Sequence, residues 1–187
     1  LATVFLPATV YRYYYAALVP NAILVALPLI DCRTKVRWIP LAIVLAGAAS
    51  TLFLPQQYAQ SQEQSATLNR LSRAIAPNVD NKTKCLWVFD GPTSLYTLSG
   101  SCLPTRYIYP DHLNNALERN ALGVEQTDEV ARILANRPPI IVTADTKFTI
   151  QNEDAGQLVE RAVTDHYREL TNGVLHGRTI RVWKRID

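Results

Sequence analysis

The chain has 187 residues, 48% hydrophobic and 19% charged, with a formal net charge of +3 and a pI near 8.8. That length holds one good-sized domain or two small ones, and so small a charge, with no cationic patch interleaved with aromatics, excludes a nucleic-acid-binding surface as the main feature. The averages hide a split: residues 1–55 carry four basic side chains and one acid, Asp31, while the other 132 residues carry 15 of each sign, so the net charge belongs to the apolar third.

Residues 1–9, LATVFLPAT, read as the tail of an apolar span. The sequence starts at Leu1 and contains no methionine, so it is expected to be a piece of a longer chain; its first residues lack the basic segment and small-residue site of a cleaved signal peptide. Tyr13 to Ile30 is a run of 18 residues without a charge, and Trp38 to Tyr58 is another of 21. Each is about the length needed to cross a hydrocarbon core roughly 30 Å thick. A helix packed on a soluble core would show a polar stripe every third or fourth residue, and neither run has one. Pro20, Asn21, Pro28 and Pro40 weigh toward a soluble core, since proline costs about 3 kcal/mol inside a water-soluble helix. A bilayer tolerates it where neighbouring helices satisfy the freed carbonyls. The expectation is a membrane region over 1–58, with spans near 13–30 and 38–57.

The elbow between the runs, DCRTKVRW, holds Arg33, Lys35 and Arg37 against Asp31, and by the positive-inside rule it is the cytoplasmic turn. Tyr13, Tyr14 and Tyr15, next to Arg12, then lie at the opposite interface, where amphipathic rings settle. Everything after about Pro55 falls outside the cytoplasm.

From Gln56 onward the pattern is that of a small α/β domain, expected over 59–187. SQEQSATLNRLSRAIAP opens with a capping box, Ser61 with Gln64, puts Leu68, Leu71 and Ile75 on one face and stops at Pro77. KCLWVFD (84–90) is a short apolar strand, and GPTSLYTLSG a short helix with Pro92 at its first position and Gly100 after its end. TDEVARILANRPP is a helix with Val130, Ile133 and Leu134 inward. IIVTAD (140–145) is a second buried strand. NEDAGQLVERAVTDHYREL has Asn152 as N-cap, with Leu158, Val159, Ala162 and Val163 on one face. GVLHGRTIRVWKRI reads as a hairpin in which Ile180, Val182 and Ile186 alternate with Arg181 and Arg185. The sum is a layered α/β fold with a mainly parallel sheet and an antiparallel edge hairpin.

No G-x-G-x-x-G or P-loop occurs, and His112, His166 and His176 stand alone without metal-ligand spacing, so the reading assigns no cofactor. Cys85 and Cys102 both fall in the exterior domain, where they either bridge or leave Cys85 as a buried thiol; Cys32 falls in the elbow.

An RYY…LVP element in an apolar run, followed by LWVFDGPTSLYTLSGSCLPTRYIYP and ILANRPPIIVTAD, resembles the C-terminal part of a bacterial integral-membrane glycosyltransferase of the GT-C type, related to protein O-mannosyltransferases and aminoarabinose transferases. The resemblance covers most of the chain and implies a multi-pass protein of the bacterial cytoplasmic membrane. It also implies transfer of a sugar from a polyprenyl-phosphate donor to a lipid or protein acceptor at the outer face. The family's catalytic aspartate, in its first exterior loop, has no counterpart here, since Asp31 lies on the cytoplasmic side. The resemblance gives Arg12 a place near the donor phosphate, with Tyr13, Tyr14 and Tyr15 as hydroxyl donors; an interfacial anchor with a snorkelling arginine explains the same residues. In the exterior domain Arg106, Tyr107, Tyr109, Asp111 and His112 form a proline-bounded loop suited to the acceptor side, or one tied down by packed tyrosines. Asp90 sits at a strand end where α/β folds place ligand contacts, and capping of the next helix explains it equally well. The rival expectation is a membrane-anchored binding or assembly module without catalysis.

Overall fold

The computed structural model describes Ala42, Ala46 and residues 55–186 apart from Asn120 and Leu122. The first expected span, the elbow, Arg12 to Tyr15 and most of the second expected span lie outside the described residues. The chain divides into two units, Leu1–Gln56 and Gln57–Asp187. Among the described residues no helix is long and apolar enough to cross a membrane.

The second unit is a mixed α/β layer structure around four strands: β1 (Leu86–Val88), β2 (Ile140–Ala144), β3 (Tyr167–Leu175) and β4 (Arg178–Arg185), in the order β1-β2-β4-β3. Only β1 and β2 pair in parallel; β4 runs antiparallel to both β2 and β3. The expectation of a mainly parallel sheet is therefore corrected to a mixed one. The reason is the tight turn at His176 and Gly177, both with positive φ (52° and 77°). A two-residue turn of that hand folds β4 straight back on β3 and feeds it into the sheet centre, beside β2.

Strand alternation sorts side chains onto two faces. Leu86 and Val88 of β1, Ile140 and Val142 of β2, and Ile180 and Val182 of β4 pack on one side. Trp87, Phe89 and Ile141 pack on the other. Each of these side chains is at most 5% exposed, which stabilises the fold by about 1.5–3 kcal/mol per residue. In β3 a bulge between Glu169 and Thr171 changes the parity. Tyr167 joins the second core and Leu175 the first, although both are odd-numbered, because one extra residue shifts every later side chain to the opposite face.

The first face is covered by α1 (Pro55–Ile75) and α2 (Ser94–Ser99), through Leu71, Ile75, Leu95 and Tyr96. The second is covered by α3 (Asp111–Asn114), α4 (Gln126–Ala135) and α5 (Glu153–His166), through Leu113, Val130, Ile133, Ala155, Val159 and Val163. The expected capping box is corrected: α1 is continuous from Pro55, so Ser61 and Gln64 lie inside it. Helix α2 begins at Ser94 and ends, as its sequence predicts, on Gly100 in the left-handed conformation (φ 68°), which glycine adopts without the Cβ penalty. Asn152 caps α5, its side chain accepting from Ala155 N. The helical pattern read through YREL ends instead at His166, and β3 starts at Tyr167. Ile186 lies beyond β4 and is exposed, not inward as its alternation suggested.

The free edge of β1 is closed by side chains. Leu86 N donates to Ser101 Oγ at 2.7 Å and Val88 N to Tyr96 OH at 2.9 Å, so both outward amides of this edge strand are satisfied. Burial pushes the Tyr96 hydroxyl pKa up to about 12. A disulfide joins Cys85, just before β1, to Cys102, just after α2.

Candidate functional site

The C-terminal ends of β1 and β2 point to the same end of the sheet, the end where open α/β sheets place their ligand contacts. Asp90 follows β1 there and is 5% exposed. Buried acids require a partner, and Asp90 has two: its Oδ2 accepts from Arg178 Nη2 at 2.7 Å and from Gln151 Nε2 at 3.0 Å. The first residue of β4 thus reaches the residue two past the end of β1, across the intervening strand β2. Arg178 is fixed in turn by Thr146 O, which accepts from its Nε at 2.7 Å, and by the Phe148 ring, 5.7 Å from its guanidinium carbon. The capping role for Asp90 is corrected: Thr93 occupies the N-cap of α2, without a side-chain bond, and the Asp90 carboxylate is committed to the ion pair.

Two clefts flank this pair. One, of about 640 Å³, lies on the α5 side and is lined by Asp90, Asp145, Gln151, Gln157, Glu160 and Trp183. The other, of about 940 Å³, lies on the α1 side and is lined by Leu68, Pro92, Phe148, Leu175, Gly177 and Arg178. Lys147 borders both. Hydrogen bonds from Thr179, then from Thr146, hold the Asp145 carboxyl far below the usual carboxylate range. Trp183 Nε1 donates to Thr143 Oγ1 at 2.8 Å, fixing the indole beside the first cleft. An aromatic ring with several amides and carboxylates suits a polar, hydrogen-bonding ligand.

The expected loop does not converge on this site as a unit. Thr105, buried, donates to Glu129 Oε1 at 2.6 Å, and Glu129 also accepts from Arg132 Nη2 at 2.6 Å and Nε at 2.7 Å. Arg132, first, and then Thr105 lower the Glu129 pKa against the opposing effect of burial. That cluster pins the loop to α4. Arg106 lies over the ring of Tyr107, 4.9 Å from its centroid, and donates to its hydroxyl at 2.7 Å. Tyr109 is exposed and packs edge-on against His112, whose Nδ1 lies 3.0 Å from Glu118 Oε2. Asp111 Oδ1 accepts from Thr149 Oγ1 at 3.5 Å, which ties it to the segment between Phe148 and Gln151.

Below the loop, Gln126, 1% exposed, donates to the carbonyls of His112 and Asn115 and accepts from Asn152 Nδ2; Asn114 Nδ2 donates to Phe89 O. This buried network fixes α3 and the starts of α4 and α5 around the end of β1. Arg178, Gln151, Glu129 and Gln126 were not singled out from the sequence. Only Arg178 had a signal, and an indirect one, in that an acid closing a buried strand demands a cation somewhere.

Comparison of the chain with family models, curated proteins and solved structures finds no match.

Proposed function

We propose that this chain is part of an integral-membrane glycosyltransferase of the bacterial cytoplasmic membrane that uses a polyprenyl-phosphate sugar. In this reading residues 57–186 form an extracytoplasmic domain that shapes the approach of a lipid or protein acceptor and leaves the transfer itself to other parts of the protein. The observation that carries the reading is the Cys85–Cys102 disulfide. Disulfides persist in oxidising compartments, and the basic elbow at Arg33, Lys35 and Arg37 independently directs the region after Pro55 to that side. The cleft beside Trp183, with Gln151, Gln157 and Glu160, suits a polyhydroxylated group. A general base needs a pKa near the working pH and a free lone pair. Asp90 and Glu129 are both ion-paired, and Asp145 is held ionised, which agrees with a supporting role for the domain.

Proteoliposomes carrying the full-length gene product should release polyprenyl phosphate from a polyprenyl-phospho-sugar when an acceptor fraction is added, and the 57–187 unit alone should not. Turnover by that unit, or labelling of Cys32 by an impermeant maleimide on intact cells, would overturn the assignment.

A further inference from the structure

Helices α1, α4 and α5 all start at the end of the sheet that carries Asp90. Gln126, at the start of α4, bonds to Asn115 O, and Asn152, the cap of α5, follows Gln151 beside Asp90. Ser61, Gln64 and Leu68 of α1 line the same cleft as Phe148 and the Gly177 turn. The far end of α1 leads to Asp80, whose carbonyl accepts from Cys102 N near the start of β1. The chain therefore enters this domain at the Asp90 end, directly after the uncharged run Trp38 to Tyr58.

The large apolar side chains most exposed among the described residues lie at that same end: Leu117 at 77%, Phe148 at 71% and Ile150 at 67%. Ala116 N donates to Ile150 O at 2.8 Å, and Asn115 pairs with Gln151, so the turn bearing Leu117 lies beside the loop bearing Phe148 and Ile150. Single exposed apolar side chains are ordinary. Three on adjoining loops, where an uncharged run enters, form a patch that water alone does not explain.

We propose that this end of the domain rests on the phospholipid bilayer, with Leu117, Phe148 and Ile150 seated in its interfacial zone. Apolar side chains of surface-bound proteins are buried there at the boundary between headgroups and acyl chains. The inference rests on the membrane reading above. It adds that both clefts beside Asp90 and Arg178 open next to the headgroups, where a lipid-borne ligand presents its polar end.

The test places tryptophan at chosen positions of the full chain, reconstituted in phosphatidylglycerol–phosphatidylcholine vesicles whose acyl chains are brominated or not. Leu103→Trp is the control, because Leu103 is exposed at the opposite end, next to Cys102. Relative to the unsubstituted chain with its native tryptophans, Phe148→Trp and Ile150→Trp should each add emission that is blue-shifted and lost on bromination. The emission added by Leu103→Trp should persist. If the chain floats with the vesicles but neither Phe148→Trp nor Ile150→Trp is quenched more than Leu103→Trp, this proposal fails and the membrane reading stands. If the chain does not float with the vesicles, both fail.

Discussion

Separating Asp90 from Arg178 should show that the end of the sheet is held by a coupled pair. The side chains are 8% and 18% exposed. Arg178→Met leaves the buried carboxylate with Gln151 as its remaining side-chain partner. Orphaning one member of a buried pair costs about 3–5 kcal/mol, and the low end, about 3, applies because both clefts admit water to the pair. Asp90→Asn should cost less, about 1–2 kcal/mol, because the guanidinium keeps Thr146 O and the Phe148 ring and is the more exposed partner. If the substitutions acted independently, the double variant would lose about 4–5 kcal/mol; the shared contact predicts about 2–3, a coupling near 2 kcal/mol. Urea unfolding of the 57–187 unit is the assay, since both hydrophobic cores consist of residues within it. The Arg178→Met loss should also lower the melting temperature by about 10 °C for a unit of this size. Additive losses, or a smaller loss for Arg178→Met than for Asp90→Asn, would refute the reasoning.

Reducing the Cys85–Cys102 disulfide, or replacing both cysteines with serine, removes a cross-link over 17 positions and should cost about 3 kcal/mol. A urea midpoint unmoved by reductant would contradict that. Glu129 gives a pH signature: its folded pKa lies below the ordinary 4.5, so its contribution is complete above that value and is lost as pH falls through the lower folded value. The stability difference between the parent and Glu129→Gln should therefore shrink below about pH 4 in acid-titrated unfolding curves; a constant difference would mean that the carboxylate's charge does not matter.

How far the fold could be read locally depends on the range of the interactions involved. Gly100, Asn152 and the proline stops act on backbone groups a few residues away, so the ends they mark were legible. The apolar sets of α1, α4 and α5 were legible because helical period alone places them on one face. The end of α5 was not: HYREL continues an acceptable helical pattern, and only pairing of Tyr167 with Arg185 turns it into strand. The bulge before Thr171 left no sequence mark, and without it neither the facing of Leu175 nor the cleft beside it follows.

The sequence by itself determined where charge is absent, where the helices closed by proline or glycine stop and which short runs are buried strands, since each follows from solvation or from hydrogen bonds within one turn. The tertiary structure alone decided that β4 enters between β2 and β3, that Thr105 is tied to Glu129, and that Asp90 meets Arg178 from 88 positions away. Those outcomes are choices among distant partners, settled by which arrangement pairs the buried charges of Asp90 and Glu129, and no local window of residues contains that comparison.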